Sequence, residues 1–534
     1  MKTKIYNSGF SSIMAMFFIL LFSALAISFA HMSSLNVKMS ENHSHLTKAQ
    51  AAAESGLNYA IYLVNNYDPP SDVYTYYNVV SENEALTSFG YFKDHVVSQM
   101  SGSPLMSGLS ISYSSSSNTI KLPSAGAIKL DSASEGFSLV FQFQAGDSVT
   151  PHKMSVTSLG VAGDSTKAIT MEFSIAKDAD VLNYAIASRG RIWLTGDSTI
   201  DGDVYTDWDN PACAPFNMTS DSKINGTINT VFTKEQADDA SWQLETLDED
   251  GNAIFDDDGN RVYSSIDEVQ GHHEGINYGV ESNVPGMNIN DYNTDMYRQG
   301  LPDIPSASYT SVEYFPHAAG NYNAPKYSSS LKLYRHVYDG VHFKDVRLPD
   351  NRNALFKNCT FEGVLYVDCY KSTSSYYNNV RFDDCTFNGV IVTDVPSVLK
   401  WQYNCLYFTG DAVFNNQAME EATILAPNFN VNLGNANAAT GTNNQLTGAV
   451  IGGIVDVRGN AQIDGTIISM TDTTQWTSGY VTNIGVTLSD GGSETTEIGD
   501  IGIINIRPDQ EKMLPSGIKT PIVIKKNSGT YLEL

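Results

Sequence analysis

A chain of 534 residues is too long for one ordinary domain, so it calls for several units or one elongated repeat. Charged residues make up 17%, below the roughly 25% of a typical soluble domain, while 42% apolar residues supply ample core and exclude wholesale disorder. Asp plus Glu at 59 against Lys plus Arg at 32 gives a net charge of −27, which excludes a nucleic-acid partner, and five cysteines argue against a disulfide scaffold.

No Asp, Glu, Lys or Arg lies between Lys4 and Lys38, and Ile13 to Ala30 is apolar but for Ser23 and Ser28. Eighteen such residues just cross a hydrocarbon core of about 30 Å as a helix. Ile13, Phe17, Phe18, Leu20, Leu21, Leu25 and Ile27 are its anchoring side chains. Lys2 and Lys4 on the short side place the N-terminus in the cytoplasm and the bulk outside. A cleaved secretory signal is the alternative, with Ser28-Phe29-Ala30 as its small-x-small site. Against it, Leu35, Met39, Leu46, Ala49, Ala53, Leu57, Ala60 and Val64 continue at helical spacings until Asp68-Pro69-Pro70. The expectation is one helix over 10–67, half in lipid and half in water.

A short basic leader ending in Gly9-Phe10, followed at once by the apolar run, resembles the class III leader of type IV pilins. The stretch Lys38 to Val64, centred on Ala49-Gln50-Ala51-Ala52-Ala53-Glu54-Ser55-Gly56-Leu57, resembles the N-terminal domain of PilX-type minor pilins and pilus-assembly proteins. The resemblance covers about the first 65 residues. It implies that 1–9 is a leader peptide cut between Gly9 and Phe10 by a prepilin peptidase on the cytoplasmic side. It further implies that Ala49, Ala52, Ala53, Glu54, Gly56 and Leu57 are the family motif. Major pilins carry a glutamate at the fifth position after the cut, where this chain has Met14. That departure favours a minor or terminal subunit, and a membrane tether with no pilus role stays open beside it.

Residues 68–180 read as a small α+β region, with a helix over Glu82 to Met100. Its strands are Leu109–Tyr113, Thr119–Leu122, Phe137–Phe143, Lys153–Ser158 and Ala168–Ile175. Beyond lies repetition. "IWLTGDSTIDGDV" (Ile192 to Val204) returns as "LYFTGDAVF" (Leu406 to Phe414) and "VDVRGNAQIDGTI" (Val455 to Ile467). "FKNCTFEGVLYVD" (Phe356 to Asp368) aligns without gaps on "FDDCTFNGVIVTD" (Phe382 to Asp394), and Phe408 lies 26 further on. Such a period suits short strands coiled into a right-handed, pectin-lyase-like parallel β-helix over 181–534, with an acidic insertion near 235–293. An antiparallel sandwich or jelly roll is the competing architecture. Thr495 to Leu534 reads as closing strands.

Asp248, Asp250, Asp256 and Asp258 lie on two Asp/Glu-rich Asp-Gly stretches that offer hard oxygen ligands to Ca²⁺. The full EF-hand frame is absent, so two acidic hairpin turns are the plainer reading. Asp383 and Asp384, with Arg381 nearby, are the candidates for glycan chemistry, but adjacent strand residues point to opposite faces. Cys359 and Cys385 occupy equivalent repeat positions and read as stacked small hydrophobes; Cys213, Cys369 and Cys405 lack CxxC spacing. His272-His273 reads as a solvated pair.

The chain therefore reads as mainly β: a long N-terminal transmembrane helix, a small pilin-like α+β region, then the β-helix. Its expected function is that of a minor pilin or pilus-assembly component, single-pass in the inner (cytoplasmic) membrane, displaying an acidic head for assembly or adhesion. Expected partners are other pilin or pseudopilin subunits, the assembly machinery and the lipid bilayer, with a glycan or surface protein left open. No cofactor and no catalysis are expected; the alternative is a membrane-tethered β-helix enzyme or binding protein acting on polysaccharide.

Overall fold

The computed structural model describes residues 8–534 apart from 131–133, 147–149, 195–197, 210–214, 219–221, 239–243, 246–256, 258–262, 265–270, 283, 314–317, 320–322, 326–331, 351, 370–377, 398–403, 411, 416–421, 434–443, 458–460, 471–480, 485–502, 509–513 and 534. The protein is mainly β with one apolar N-terminal helix. It divides into two compact units. The first holds Met1–Val73, Val80–Ala176 and Ile522–Leu534; the second holds Tyr74–Val79 and Lys177–Pro521.

In the first unit, helix α1 runs from Ser8 to Asn65 and stops ahead of Asp68-Pro69-Pro70, because the residue before a proline is pushed out of the helical region. Helix α2 (Glu82–Met100) begins at a capping box: the Ser81 hydroxyl accepts from Glu84 N, and the Glu84 carboxylate accepts from Ser81 N at 2.8 Å. Six strands follow: β1 (Ser112–Ser114), β2 (Thr119–Leu122), β3 (Ile128–Lys129), β4 (Glu135–Gln144), β5 (His152–Ala162) and β6 (Ser165–Lys177). β4, β5 and β6 are antiparallel neighbours, with Phe141 opposite Val156 and Val156 opposite Met171. Burial alternates along them with period two, so one face is apolar. That face carries α1 residues Ala53, Leu57 and Ala60 and α2 residues Phe89, Phe92 and Val96 in one core.

The C-terminus departs from the sequence reading. Ile504–Arg507 stays among the parallel strands of the second unit, whereas Ile522–Leu534 returns to the first. Strand Thr520–Lys526 lies beside β6 with Ile522 and Ile524 buried, and Leu532 pairs with Thr170. The expected span of the repeat fold over 181–534 is therefore too long at its end. Alternation in "TPIVIKK" specifies a strand with one buried face, but not which sheet receives it.

The second unit is a 24-stranded sheet whose described pairings are parallel, except that Ser308–Glu313 runs antiparallel to Lys332–Val337. Phe356 pairs in register with Phe382, and Phe382 with Phe408. Tyr338, Phe356, Phe382 and Phe408 stack with ring centroids 4.9, 5.4 and 5.0 Å apart. A second column, Phe343, Phe361, Phe387 and Phe414, stacks at 5.3, 5.3 and 4.7 Å, and the columns meet edge to face, as at Phe361–Phe382. The turns between these strands use Asn358 and Asp384 at φ of 50° and 53°, and Asp345 at 45° bulges the strand His342–Leu348; this is the left-handed region that Asn and Asp tolerate best after glycine.

Strand order does not follow chain order. Ile200 pairs with Ile506 on one side and Ile224 on the other, and Ile186 pairs with Ile467. The earliest strands of this unit thus lie against its latest. Between Asn277 and Ser308 the chain passes from one end of the ladder to the other as a strap, burying Met287 and Tyr292 beside Tyr366 and Ile451. Two pairs pin the strap to the strands: Arg298 on Asp368 at 2.8 Å, and the Thr294 hydroxyl donating to Thr393 O at 2.7 Å.

Candidate functional site on the N-terminal helix

Helix α1 has two chemically distinct halves. From Phe10 through Ser44 every residue is exposed; Phe10 at the expected cut and the anchoring Ile27 each reach 70%. Ile13, Met14, Phe17, Phe18, Leu20, Leu21 and Leu25 are exposed as well, from 45% at Met14 and Leu21 to 69% at Ile13. Burying a side chain of this kind is favourable by about 1.5–3 kcal/mol, so such a surface needs lipid or other apolar helices around it. By length and composition this one helix can cross a membrane.

The second half is seated on the sheet. Ala49, Ala52, Ala53 and Leu57 are buried, and the small residues let the helix axis approach β5 closely. A β-carbon on Gly56 would lie 2.3 Å from Ser158 Oγ and 2.7 Å from the Phe137 ring. From the sheet side, a β-carbon on Gly160 would lie 1.9 Å from the Ala49 carbonyl oxygen. Five of the six motif residues thus form the seat, and Glu54 faces water. Gln50 Nε2 donates to Glu54 Oε1 and to Glu533 Oε1, each at 3.3 Å, and Lys48 pairs with Glu135 at 2.8 Å. Sequence reading singled out Ala49, Ala52, Ala53, Gly56 and Leu57 as a motif, not as a seat on a sheet, and gave no role to Phe137, Ser158 and Gly160. Only the alternation of β4 and β5 could have pointed to them. Gly9 and Phe10 stand at the helix start, about 60 Å along the axis from Ala49 at 1.5 Å per residue.

The other candidates separate. Asp248, Asp250, Asp256 and Asp258 lie outside the described residues, as does Cys213; among the described residues no group of three His, Cys, Asp or Glu is placed to hold a metal. Asp384 turns its corner at positive φ, as its counterpart Asn358 does, while Asp383 accepts from the Thr409 hydroxyl at 2.8 Å and pairs with Arg381 at 3.5 Å. Cys359 and Cys385 are buried, and their thiols donate to backbone carbonyls, Cys359 to Lys357 O at 3.2 Å and Cys385 to Phe356 O at 3.4 Å. His272 is tied into the second unit through its backbone, its N–H donating to Ser222 O at 3.2 Å, and burial lowers the His273 imidazole.

Two hollows were not foreseen, because their walls come from separate chain segments. One of about 550 Å³ lies along Val97–Ile111 in the first unit, and one of about 140 Å³ in the second unit gathers Tyr74, Arg189, Asp207, Asp291 and Lys519.

No family model matches the chain, and no curated protein does. Among solved structures it is similar to the competence-associated pilin ComZ from Thermus thermophilus, at 13% identity over 92% of this chain and 97% of that one, with a TM-score of 0.25.

Proposed function

We propose that this chain is a minor pilin or pilus-assembly component, anchored in the inner membrane by α1 with its N-terminus in the cytoplasm and its bulk outside. The observation that carries this reading is the division of α1: one continuous helix, bare and apolar over its first half, and seated by alanine and glycine on an antiparallel sheet over its second. A plain tether needs the first half alone. A helix that must also pack among other pilin helices while holding a head in fixed register needs both. The leader ending at Gly9 would be removed ahead of Phe10, and Met14, in place of an acidic residue, suits a minor or terminal position. The parallel ladder of the second unit we read as a right-handed β-helix displayed outward, its acidic surface serving assembly or adhesion. A non-catalytic role agrees with the structural duties of Asp383 and Asp384.

The test is N-terminal and intact-mass analysis of the chain from membrane and sheared-surface fractions of its host, for the parent and for Gly9→Val. A start at Phe10 in sheared filaments, abolished in the variant, supports the reading. A chain that keeps Met1 and stays in the membrane overturns it in favour of a tether, and a start near His31 makes the chain an ordinary secreted protein.

A further inference from the structure

We propose that the second unit binds an uncharged, extended polysaccharide on the outward face of its parallel strands, along the row that holds Thr199, Thr360, Thr386 and Asn505. The inference rests on reading this unit as a head displayed outside the membrane.

The row follows from the register. Thr360 pairs with Thr386, Thr386 with Val413, Gln462 with Asn505, and Asn505 with Thr199. Gln445 joins Val413 to Gln462, so the row is unbroken from His342 at one end to Lys223 at the other. It crosses nine strands, and eight spacings of about 4.8 Å make it about 38 Å long. The next residue along each strand belongs to the core, as Phe361, Phe387, Ile463, Ile506 and Ile200 do. Strand alternation therefore turns the row, and the residues two positions further on, away from that core. This second row lies about 7 Å from the first and holds Glu362, Asn388, Asp464 and Arg507.

The chemistry of the two rows selects the partner. Val413 is the single apolar residue of the first row, whereas a protein-binding patch centres on apolar and aromatic side chains. Lys344 is paired with Glu362, and Arg507 Nη2 donates to Asp464 at 2.9 Å. Lys223 and Asp201 balance each other at the far end. On a chain of net charge −27 this face is neutral, so it draws neither a polyanion nor a polycation. Its hydrogen-bonding groups, by contrast, are unspent. Among the described residues the side chains of Thr199, Thr360, Thr386 and Asn505 make no hydrogen bond, and none of the four is fully buried. Hydroxyls and amides both donate and accept, as the hydroxyls of a sugar do. A diequatorially linked pyranose chain is a flat ribbon that advances close to one strand spacing per ring. Laid along the ladder, it meets one strand per sugar, with its two hydroxyl-bearing edges over the two rows.

Calorimetric titration of the full chain in sugar-free detergent micelles with cellohexaose, against maltohexaose and hexagalacturonate, tests this. Saturable binding of cellohexaose below about 1 mM is expected, with the coiled and the anionic oligomer at least ~10-fold weaker. Thr386→Lys sets a long cation in mid-row and should weaken binding at least ~10-fold while tryptophan fluorescence stays that of the parent. Asn505→Lys, on a distant stretch, repeats the test should Thr386→Lys lose its fold. No saturable heat with cellohexaose at about 5 mM, either control binding as tightly, or unchanged affinity in the folded variants overturns the proposal. N-terminal analysis is independent of this readout. A chain that starts at Phe10 in filaments yet binds no glycan sinks this inference alone, and a glycan-binding chain that keeps Met1 sinks the pilin reading alone.

Discussion

Gly160 of β5 lies directly under the helix backbone at Ala49: a β-carbon there would sit 1.9 Å from the Ala49 carbonyl oxygen and 2.4 Å from Ala53 N. Backbone atoms of a seated helix cannot swing aside, so Gly160→Ala must lift α1 from the sheet. We expect a loss of about 3 kcal/mol, at the upper end of overpacking effects. Gly56→Ala should cost less, about 1–2 kcal/mol, because it meets side chains, Ser158 Oγ and the Phe137 ring, rather than backbone, and alanine favours the helix by about 1 kcal/mol. Hydrogen exchange of the β4–β6 amides, read by mass spectrometry, reports this unit directly. Equal protection in Gly160→Ala and the parent would show that the close approach is not needed.

Phe382 is the centre of the aromatic columns, stacked at 5.4 Å on Phe356 and 5.0 Å on Phe408 and edge-on to Phe361 and Phe387. Phe382→Ala removes contacts on four sides at once and should destabilise the second unit by about 3–5 kcal/mol. Phe414→Ala, at the end of its column, should cost clearly less. All five tryptophans, at 193, 208, 242, 401 and 476, fall within the span of this unit, so their fluorescence in a urea titration follows it alone. Equal midpoints for the two variants would contradict the column model.

Legibility in the sequence varied with how specific the side chains are. The repeat over Phe356–Phe414 was readable because aromatic rings and cysteines recur at identical positions. The junction of Ile200 with Ile506 was not, since isoleucine on isoleucine is what any buried strand offers and chain distance hides the pairing. The same holds for Ile522 and Ile524, whose alternation announced a strand but could not name its sheet. On the candidate site, the 3.6-residue spacing marked the helix face. The seat was only half visible, because Ser158 and Gly160 carry no signal until the helix is laid over them.

Arg298 grips Asp368 with two hydrogen bonds, Nε to Oδ1 at 2.8 Å and Nη2 to Oδ2 at 3.1 Å, while Arg347 adds a charge at 3.5 Å. Burial nevertheless leaves the Asp368 carboxyl above its usual 3.8. A carboxyl raised on folding works against stability when ionised, and that penalty disappears as pH falls below the unfolded value. Arg298→Met removes the fork, so the carboxyl should rise further. The variant should lose about 1–2 kcal/mol at neutral pH, a figure kept small because the Arg298 side chain is 44% exposed. The deficit relative to the parent should shrink toward pH 4, where the neutral acid needs no cation. Tryptophan-monitored unfolding at pH 7 and pH 4 measures it, and a deficit that grows on acidification would refute the assignment.

The bare half of α1 makes no contribution to the core of the first unit, whose first buried helix residue is Ala49. A chain beginning at Ser40 should therefore keep its thermal midpoint within about 2 °C while losing its need for detergent. Ser40 suits the new helix start, its hydroxyl able to accept from the free backbone N–H groups and Glu41 favouring the positive end of the helix. A chain beginning at Gly56 discards Ala49, Ala52 and Ala53, and with them the close seat on Gly160, so β4–β6 should lose their exchange protection. Size-exclusion chromatography without detergent separates the outcomes. A Ser40 chain that still aggregates would place the apolar drive elsewhere than in residues 10–39, and a Gly56 chain as stable as the parent would remove the structural reason for the alanine-rich motif.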